Sequence, residues 1–351
     1  MPETEPAGDD RGALMSTVFG HMAAQALAAA VRLDVADRLG DHPRDAADVA
    51  ADLGTDPDGT RRLLRALAAS GLATESRPGA FALTARGALL RTDRADSMAD
   101  FVRMFLDPAM IGAWARLDES VRTGGPVFAD LFGTDFFGHL AAHPELSRAF
   151  NASMRQGGRA AAALLPAVLD LSGARSVTDV GGGDGAVLAA VLSAYPGLRG
   201  VLFETPMAAA DAGPVLEAAG VTDRCTVVTG DFFASVPAGS DVYLLKGVVH
   251  DWDDDRAATL LGHVRAVLPA HGRILVVEVV LPDTVDGTQP PMMYLGDLNM
   301  LVNVGGRERT EAEFRALCAR AGLAVTRLTR LPEPVGLSVI EAVRAVQTVQ
   351  A

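Results

Sequence analysis

From Arg175 onward the chain alternates short apolar, β-branched runs with segments able to form helices, and this alternation constrains the fold more than any other feature. The runs are SVTDV, RGVLFE, CTVVT, DVYLLKGV and GRILVVEVVL. Strands this apolar are buried on both faces, and strands separated by helices pair in parallel. The pattern predicts a doubly wound α/β sheet, in which ligands bind beyond the carboxyl ends of the strands where the strand order reverses. Two later runs, LAVTRLTRL and GLSVIEAV, follow RTEAEFRALCARAG, where Thr310 and Glu313 have capping-box spacing and Gly322 supplies a stop. Seven strands are expected, the last two as an appended, hairpin-like edge.

The first hundred residues read differently. From Thr17 to about Arg103 the period is helical, in short segments broken by turn signals. Asp56 is placed to cap a helix with Pro57 in its first turn, Gly71 ends it, and LATES and GAFALT flank a turn at Arg77-Pro78-Gly79. Two helices and a wing spell a winged helix, which raises a DNA-binding regulator presenting Arg61, Arg62 and Arg65 to a major groove. Charge opposes that reading: residues 1–105 hold 12 Arg and no Lys against 16 Asp plus Glu, a net −4, and the whole chain carries −13. Nucleic acid is therefore not the expected partner, and the arginines read as a solvated stripe. The alanine-rich HMAAQALAAAVRLDVADRL permits close helix approach and suits an intertwined homodimer.

The domain boundaries follow. Residues 1–12, acidic and bearing Pro and Gly, are expected to be a disordered tail and not a signal peptide. Residues 13–105 form the winged-helix-like module and 106–351 the ligand-binding domain, made of a helical linker over 106–174 and a Rossmann-like sheet core over 175–345. The linker carries Trp114, Phe128, Phe132, Phe136, Phe137 and Phe150; most read as core, and some, with Met154, are expected to roof a substrate cavity at the domain junction. Two cysteines, Cys225 and Cys318, fit a reducing compartment and no cysteine-rich metal site. No run of about 18 uninterrupted apolar residues occurs, so no membrane span is expected and the chain is placed in the cytoplasm.

Gly181, Gly182, Gly183 and Gly185 follow the first strand and open a helix, letting backbone approach a ligand without a Cβ in the way. Gly181, Gly183 and Ala186 satisfy the relaxed dinucleotide fingerprint, and Glu204 stands about twenty residues on, where an acid takes ribose hydroxyls. A nicotinamide dehydrogenase is thus a competing reading. Asp231 and Phe232, after the third run, offer a carboxylate and a ring to an adenine, while Asp179 and Asp184 suit a cationic amino-acid or sulfonium ligand better than a pyrophosphate. Asp184 serves equally as a helix N-cap. The fourth run ends in LLKGVVHDWDDD, which puts Lys246 and His250 at the same crevice. Asp253, Asp254 and Asp255 read as a helix start, because consecutive carboxylates diverge and a Mg²⁺ site needs convergent ligands.

In order along the chain, TDVGGGDG, FET, GDFF, LLKGVVHDWDDD, VVEVVLP and NVGGRERTEAEF resemble the S-adenosylmethionine-dependent O-methyltransferases of the plant caffeate/flavonoid type and their actinobacterial relatives of secondary metabolism. The resemblance spans nearly the whole chain, winged-helix dimerisation module included. It implies cofactor contacts at Gly181, Glu204, Asp231, Phe232 and Lys246, His250 as general base, and Glu278 and Glu308 flanking it. It further implies substrate contacts at Phe150 and Met154, from the FNxxM segment, and at Asn299 and Asn303, just before GGRER; packing or helix-end hydrogen bonds explain the same residues equally well. Glu stands at position 204 where the plant pattern has Asp, and the longer side chain still reaches a ribose. A neutral imidazole, reference pKa about 6.5, is expected to take the proton of a phenol as its methyl group arrives, with no metal. Some members of the family use the fold for decarboxylation, hydroxylation or pericyclic chemistry; the intact His250, Glu278 and Glu308 favour methyl transfer.

Overall fold

A computed structural model describes residues 8–332 and 336–346. The chain divides into two compact units: residues 1–111 with 145–156, and residues 112–144 with 157–351.

In the first unit a 25-residue helix, Gly8–Arg32, precedes helices Val35–Leu39, Ala46–Leu53 and Pro57–Ala69. The expected wing is an antiparallel sheet in the order Arg44–Asp45, Ala80–Leu83, Ala73–Arg77. Asp56 caps as read, its Oδ1 accepting from Gly59 N–H at 2.7 Å, and Gly71 follows the helix with φ +73°. Val49, Leu64 and Phe81 form a fully buried core. Arg61 and Arg65 pair with Asp58 and Glu75 of the same unit, as a solvated stripe would.

The structure differs from these boundaries in two places. The tail expected over residues 1–12 is helical from Gly8, with Asp10 in the turn where the helix dipole favours acids; residues 1–7 lie outside the described residues. The first unit runs on to 111, and 145–156, assigned to the linker from sequence, belongs with it. There the Gln156 amide donates to the Ser97 carbonyl. Asp10–Arg32 is long and apolar enough to cross a membrane, by length and composition only. Scattered Gly, His and Gln break its apolar runs, yet its mean hydropathy stays high. Leu14, Met15, Val18, Phe19 and Met22 of this helix are exposed.

Among the described residues, the main sheet of the second unit has seven strands: β1 (Ser176–Val180), β2 (Arg199–Glu204), β3 (Cys225–Thr229), β4 (Val242–Lys246), β5 (Arg273–Glu278), β6 (Leu323–Arg330) and β7 (Ser338–Arg344), beside a short parallel pair, Val280–Leu281 with Arg309–Thr310. Their order is β6-β7-β5-β4-β1-β2-β3, parallel except that β7 runs antiparallel to both β5 and β6. The appended hairpin edge is therefore as expected. Alternate residues feed two cores. Val177, Leu202, Leu244 and Leu275 join one, and Val180, Tyr243, Leu245 and Val276 the other. This two-sided burial is why β1, β2, β4 and β5 lack polar alternation, whereas β3, at the sheet edge, has no fully buried residue and departs from the expectation. The chain winds outward from β1 through β2 to β3, and from β4 to β5 on the other side, so the switch point lies between β1 and β4. Thr310 and Glu313 form the capping box that opens helix Glu311–Arg320, and Gly322 follows it with φ +71°.

Candidate active site

The carboxyl ends of β1, β2, β4 and β5 bring together residues that lie far apart in sequence. After β1, Gly181 has φ +70°, and a Cβ there would stand 2.7 Å from Val248 Cγ2, so the position tolerates no side chain. Glu204 ends β2 and braces this turn: its Oε2 accepts from Gly183 N–H at 3.0 Å and its Oε1 from Thr205 N–H at 2.6 Å. Each oxygen retains a second lone pair. Beneath the turn lies Asp179, 1% exposed, and neither of its carboxylate oxygens has a hydrogen-bond partner among the described residues. Burial pushes its pKa up to about 7, against the pull of Lys246 and with help from Glu204 and Asp184. Asp184 Oδ1 accepts from Ala186 N–H at 3.1 Å, serving the helix start. Past β3, Asp231 is exposed with Oδ1 accepting from Phe233 N–H, and Phe232 is half-buried against Trp252. Lys246, also half-buried, ends β4.

The catalytic end is built by cross-links. Glu278, the last residue of β5, is buried, and its Oε1 accepts from Val248 and Val249 N–H at 3.0 and 2.8 Å, with His250 N–H at 3.4 Å. It thereby fixes the loop that carries His250. The imidazole Nδ1 lies 2.8 Å from Glu308 Oε1 and 3.7 Å from Glu278 Oε2. A carboxylate only accepts, so Nδ1 carries the hydrogen and Nε2 is left to exchange a proton with a ligand. Gly306 presses on the same loop, where a Cβ would stand 2.0 Å from the His250 carbonyl oxygen, and Arg307 N–H donates to that oxygen at 2.8 Å.

The expectation of a neutral imidazole at pH 7 is revised. Burial alone would lower the pKa of His250, but the charges of Glu278 and Asp251 and the hydrogen bond and charge of Glu308 outweigh it and push it up to about 10. Burial raises Asp251 to about 6 and also raises Glu278, in both cases against the pull of His250. One imidazole and two carboxylates with donor atoms within 4.8 Å of one another would also suit a divalent cation. Here Nδ1 and the Glu278 Oε1 atom are both spent on hydrogen bonds within the protein. The Asp253–Asp255 run divides as its position suggests. Asp253 caps helix Asp254–Val267, while Asp254 pairs with Arg309 and Asp255 with Arg320.

Several residues escaped the sequence reading. Arg309, fully buried, donates to the carbonyls of Val249 at 3.2 Å and Trp252 at 2.9 Å, pinning the His250 loop from below. Asp297 Oδ1 accepts from Glu308 N–H at 2.8 Å and so holds that carboxylate in place. Of the acceptor-side residues, Asn299 and Asn303 lie on helix Pro291–Asn303, both buried. Asn299 Oδ1 is turned to protein groups, Trp114 Nε1 and Asn303 Nδ2. Phe150 and Met154 belong to the 145–156 segment of the first unit, Phe150 half-buried and Met154 exposed. Phe128 is buried, and Phe137 stacks on Trp252 at 5.6 Å between ring centroids.

Comparison with known proteins agrees with this geometry. The family model described as the O-methyltransferase domain matches residues 114–324, and that of the O-methyltransferase dimerisation domain matches 15–93. The chain is 49% identical over 331 residues to O-demethylpuromycin-O-methyltransferase of Streptomyces alboniger, covering 94% of this chain and 88% of that one. The solved mitomycin 7-O-methyltransferase superposes with a TM-score of 0.90 at 36% identity, over 96% and 98% of the two chains. An O-methyltransferase of neocarzinostatin biosynthesis, solved with S-adenosylmethionine and 2-hydroxy-5-methyl naphthoic acid, gives 0.79 at 34% identity, over 92% and 96%. The residues present fit S-adenosylmethionine. The turn at Gly181 has no room for a side chain, acids stand at the ends of β2 and β3, and the buried Asp179 carboxyl awaits a partner. The family matches displace the dehydrogenase reading: the chain belongs to the S-adenosylmethionine-dependent O-methyltransferases.

Proposed function

We propose that the chain works as a cytoplasmic homodimer that methylates a phenolic or related hydroxyl of a small aromatic secondary metabolite, with His250 as general base. One observation carries the catalytic part: the 2.8 Å contact of His250 Nδ1 with Glu308, backed by Glu278, which leaves Nε2 to receive a proton. S-adenosylmethionine supplies an electrophilic methyl carbon. The protein's share is to orient the hydroxyl and to hold its proton. A ring whose pKa stands at about 10 matches a phenol of about 10, so proton transfer from oxygen to Nε2 is nearly thermoneutral. An unperturbed imidazole would face about 3.5 pKa units, or roughly 5 kcal/mol, uphill. The cost of this match is that little neutral ring is present near pH 7, so turnover should climb with pH.

Gly181, Glu204, Asp231, Phe232 and Lys246 are assigned to the cofactor, Glu278 and Glu308 to His250, and Asn303, Phe150 and Met154 to the aromatic acceptor, with Asn299 behind Asn303. The names of the relatives, O-demethylpuromycin and a hydroxylated naphthoic acid among them, support an aromatic acceptor. The dimerisation-domain match over 15–93 and the exposed Leu14, Val18, Phe19 and Met22 support pairing through the N-terminal unit. The test is incubation of aromatic hydroxy compounds with methyl-labelled S-adenosylmethionine, read by mass spectrometry. Label on an acceptor oxygen is expected. Absence of transfer to every member, with S-adenosylhomocysteine still bound, would overturn the reading.

A further inference from the structure

The amides of Asn299 and Asn303 are oriented by neighbours that permit only one arrangement. Trp114 Nε1 donates to Asn299 Oδ1 at 2.9 Å. An indole N–H has no acceptor role, so the atom it meets must be the amide oxygen. Asn303 Nδ2 lies 3.0 Å from that same oxygen and 3.1 Å from the Asn299 backbone carbonyl. Both are acceptors, so the Asn303 atom facing them must be the nitrogen. Its carbonyl oxygen therefore faces the other way. That oxygen is buried, in a residue 2% exposed, and has no hydrogen-bond partner among the described residues. A buried acceptor left in this state is costly unless something donates to it.

Chain connectivity ties the unpaired oxygen to the reacting end. Asn303 closes its helix, and three residues later Gly306 packs on the His250 carbonyl. Three residues span at most about 10 Å. The Trp114 side is anchored independently, because helix Leu117–Thr123 packs on helix Pro291–Asn303 and Val127 N–H donates to the Val302 carbonyl at 3.3 Å.

We propose that Trp114 is a positioning residue: through Asn299 it holds Asn303 with its carbonyl oxygen outward as a dedicated acceptor. The aromatic molecules preferred here then carry, besides the hydroxyl that is methylated, a second N–H or O–H donor on the same ring system. The inference rests on the hydroxyl-methylation reading. A ring with a methoxy oxygen at that place sets acceptor against acceptor, and one with hydrogen leaves Asn303 unpaired; sites built to bond a donor reject analogues that lack it.

Matched naphthols test this: dihydroxynaphthalenes and aminonaphthols against their monomethoxy and unsubstituted counterparts, each with labelled S-adenosylmethionine. For the unsubstituted protein kcat/KM should favour the donor-bearing member by about 100-fold. Asn303→Leu should bring the ratio near one. Trp114→Phe, which keeps the ring and removes the donor, should lower it about fivefold, through KM and not kcat, with S-adenosylhomocysteine affinity unchanged as evidence of folding. Equal turnover of paired members by the unsubstituted protein would overturn the proposal. A ratio lost in Asn303→Leu yet intact in Trp114→Phe would overturn the role of Trp114. No transfer to any naphthol, with S-adenosylhomocysteine still bound, would instead overturn the hydroxyl-methylation reading and this inference with it.

Discussion

The two ends of the crevice satisfy their buried carboxylates to different degrees. At the catalytic end, Glu278 Oε1 accepts from backbone donors and Glu308 Oε1 is met by the His250 ring, while Glu308 Oε2 is buried without a partner among the described residues. At the cofactor end, Asp179 is as deeply buried and has no partner among the described residues. The first arrangement already bonds one oxygen of each carboxylate within the protein and fixes the His250 ring. The second stores an unmet demand that a cationic ligand above the glycine turn would satisfy. Rate should therefore be most sensitive to the catalytic end, and ligand-free stability and cofactor affinity to the other.

The largest effect belongs to Asp179. Its folded pKa, about 7, lies above its unfolded value of 3.8, so the folded protein holds this proton more tightly. Stability falls as pH rises from about 4 through 7, by on the order of 3 kcal/mol or more once the group is ionised. Asp179→Asn should remove that fall. Denaturation midpoints of both ligand-free proteins at pH 5 and pH 8 make the comparison, in which the contribution of His250 is common to both. Identical pH dependence would mean that Asp179 does not titrate there and that the contrast between the two ends is wrong.

Next comes His250→Ala, expected to cut turnover by about 100-fold or more while S-adenosylhomocysteine binds as before. Full activity would remove His250 as the base. Gly181→Ala should do the reverse, weakening S-adenosylhomocysteine binding by about 30-fold, because the new Cβ meets Val248 and sits on a backbone of φ +70°. Isothermal calorimetry reads it, and unchanged affinity would show that the turn has room to spare.

How much of this was legible in the sequence depends on how local each feature is. Gly181, Glu204, Asp231 and Lys246 each end or follow a strand, so the apolar runs alone placed them at one crevice. Asp56, Thr310 and Glu313 act within one turn and were readable for the same reason. Trp114 and Asn299 meet across 185 positions, and Arg309 binds carbonyls about sixty residues earlier; neither pairing leaves a periodic trace. An arginine in GGRERT reads as a surface charge until the fold places it under the His250 loop. The raised pKa of His250 was missed because it depends on three carboxylates from different segments converging on one ring. The domain boundary failed for a related reason, since helix Pro144–Val168 is continuous in sequence while its residues divide between the two units.

The smallest predicted effect tests the catalytic end most finely. Glu308→Gln keeps a side-chain oxygen able to accept from Nδ1, so the ring can stay oriented, but it removes one of the three charges that hold the imidazolium. The ring pKa must fall, and the acid limb of kcat/KM against pH should move to lower pH by about one unit. Just below neutrality the variant then has more neutral ring than the parent. Each proton transfer is less favourable, however, because the base no longer matches a phenol. The profiles should accordingly converge at low pH and separate at high pH, where the variant reaches a plateau about three- to tenfold lower. A uniform loss at every pH, with the limb unmoved, would mean that Glu308 acts through geometry alone and that the charge of the cluster does not set the strength of the base.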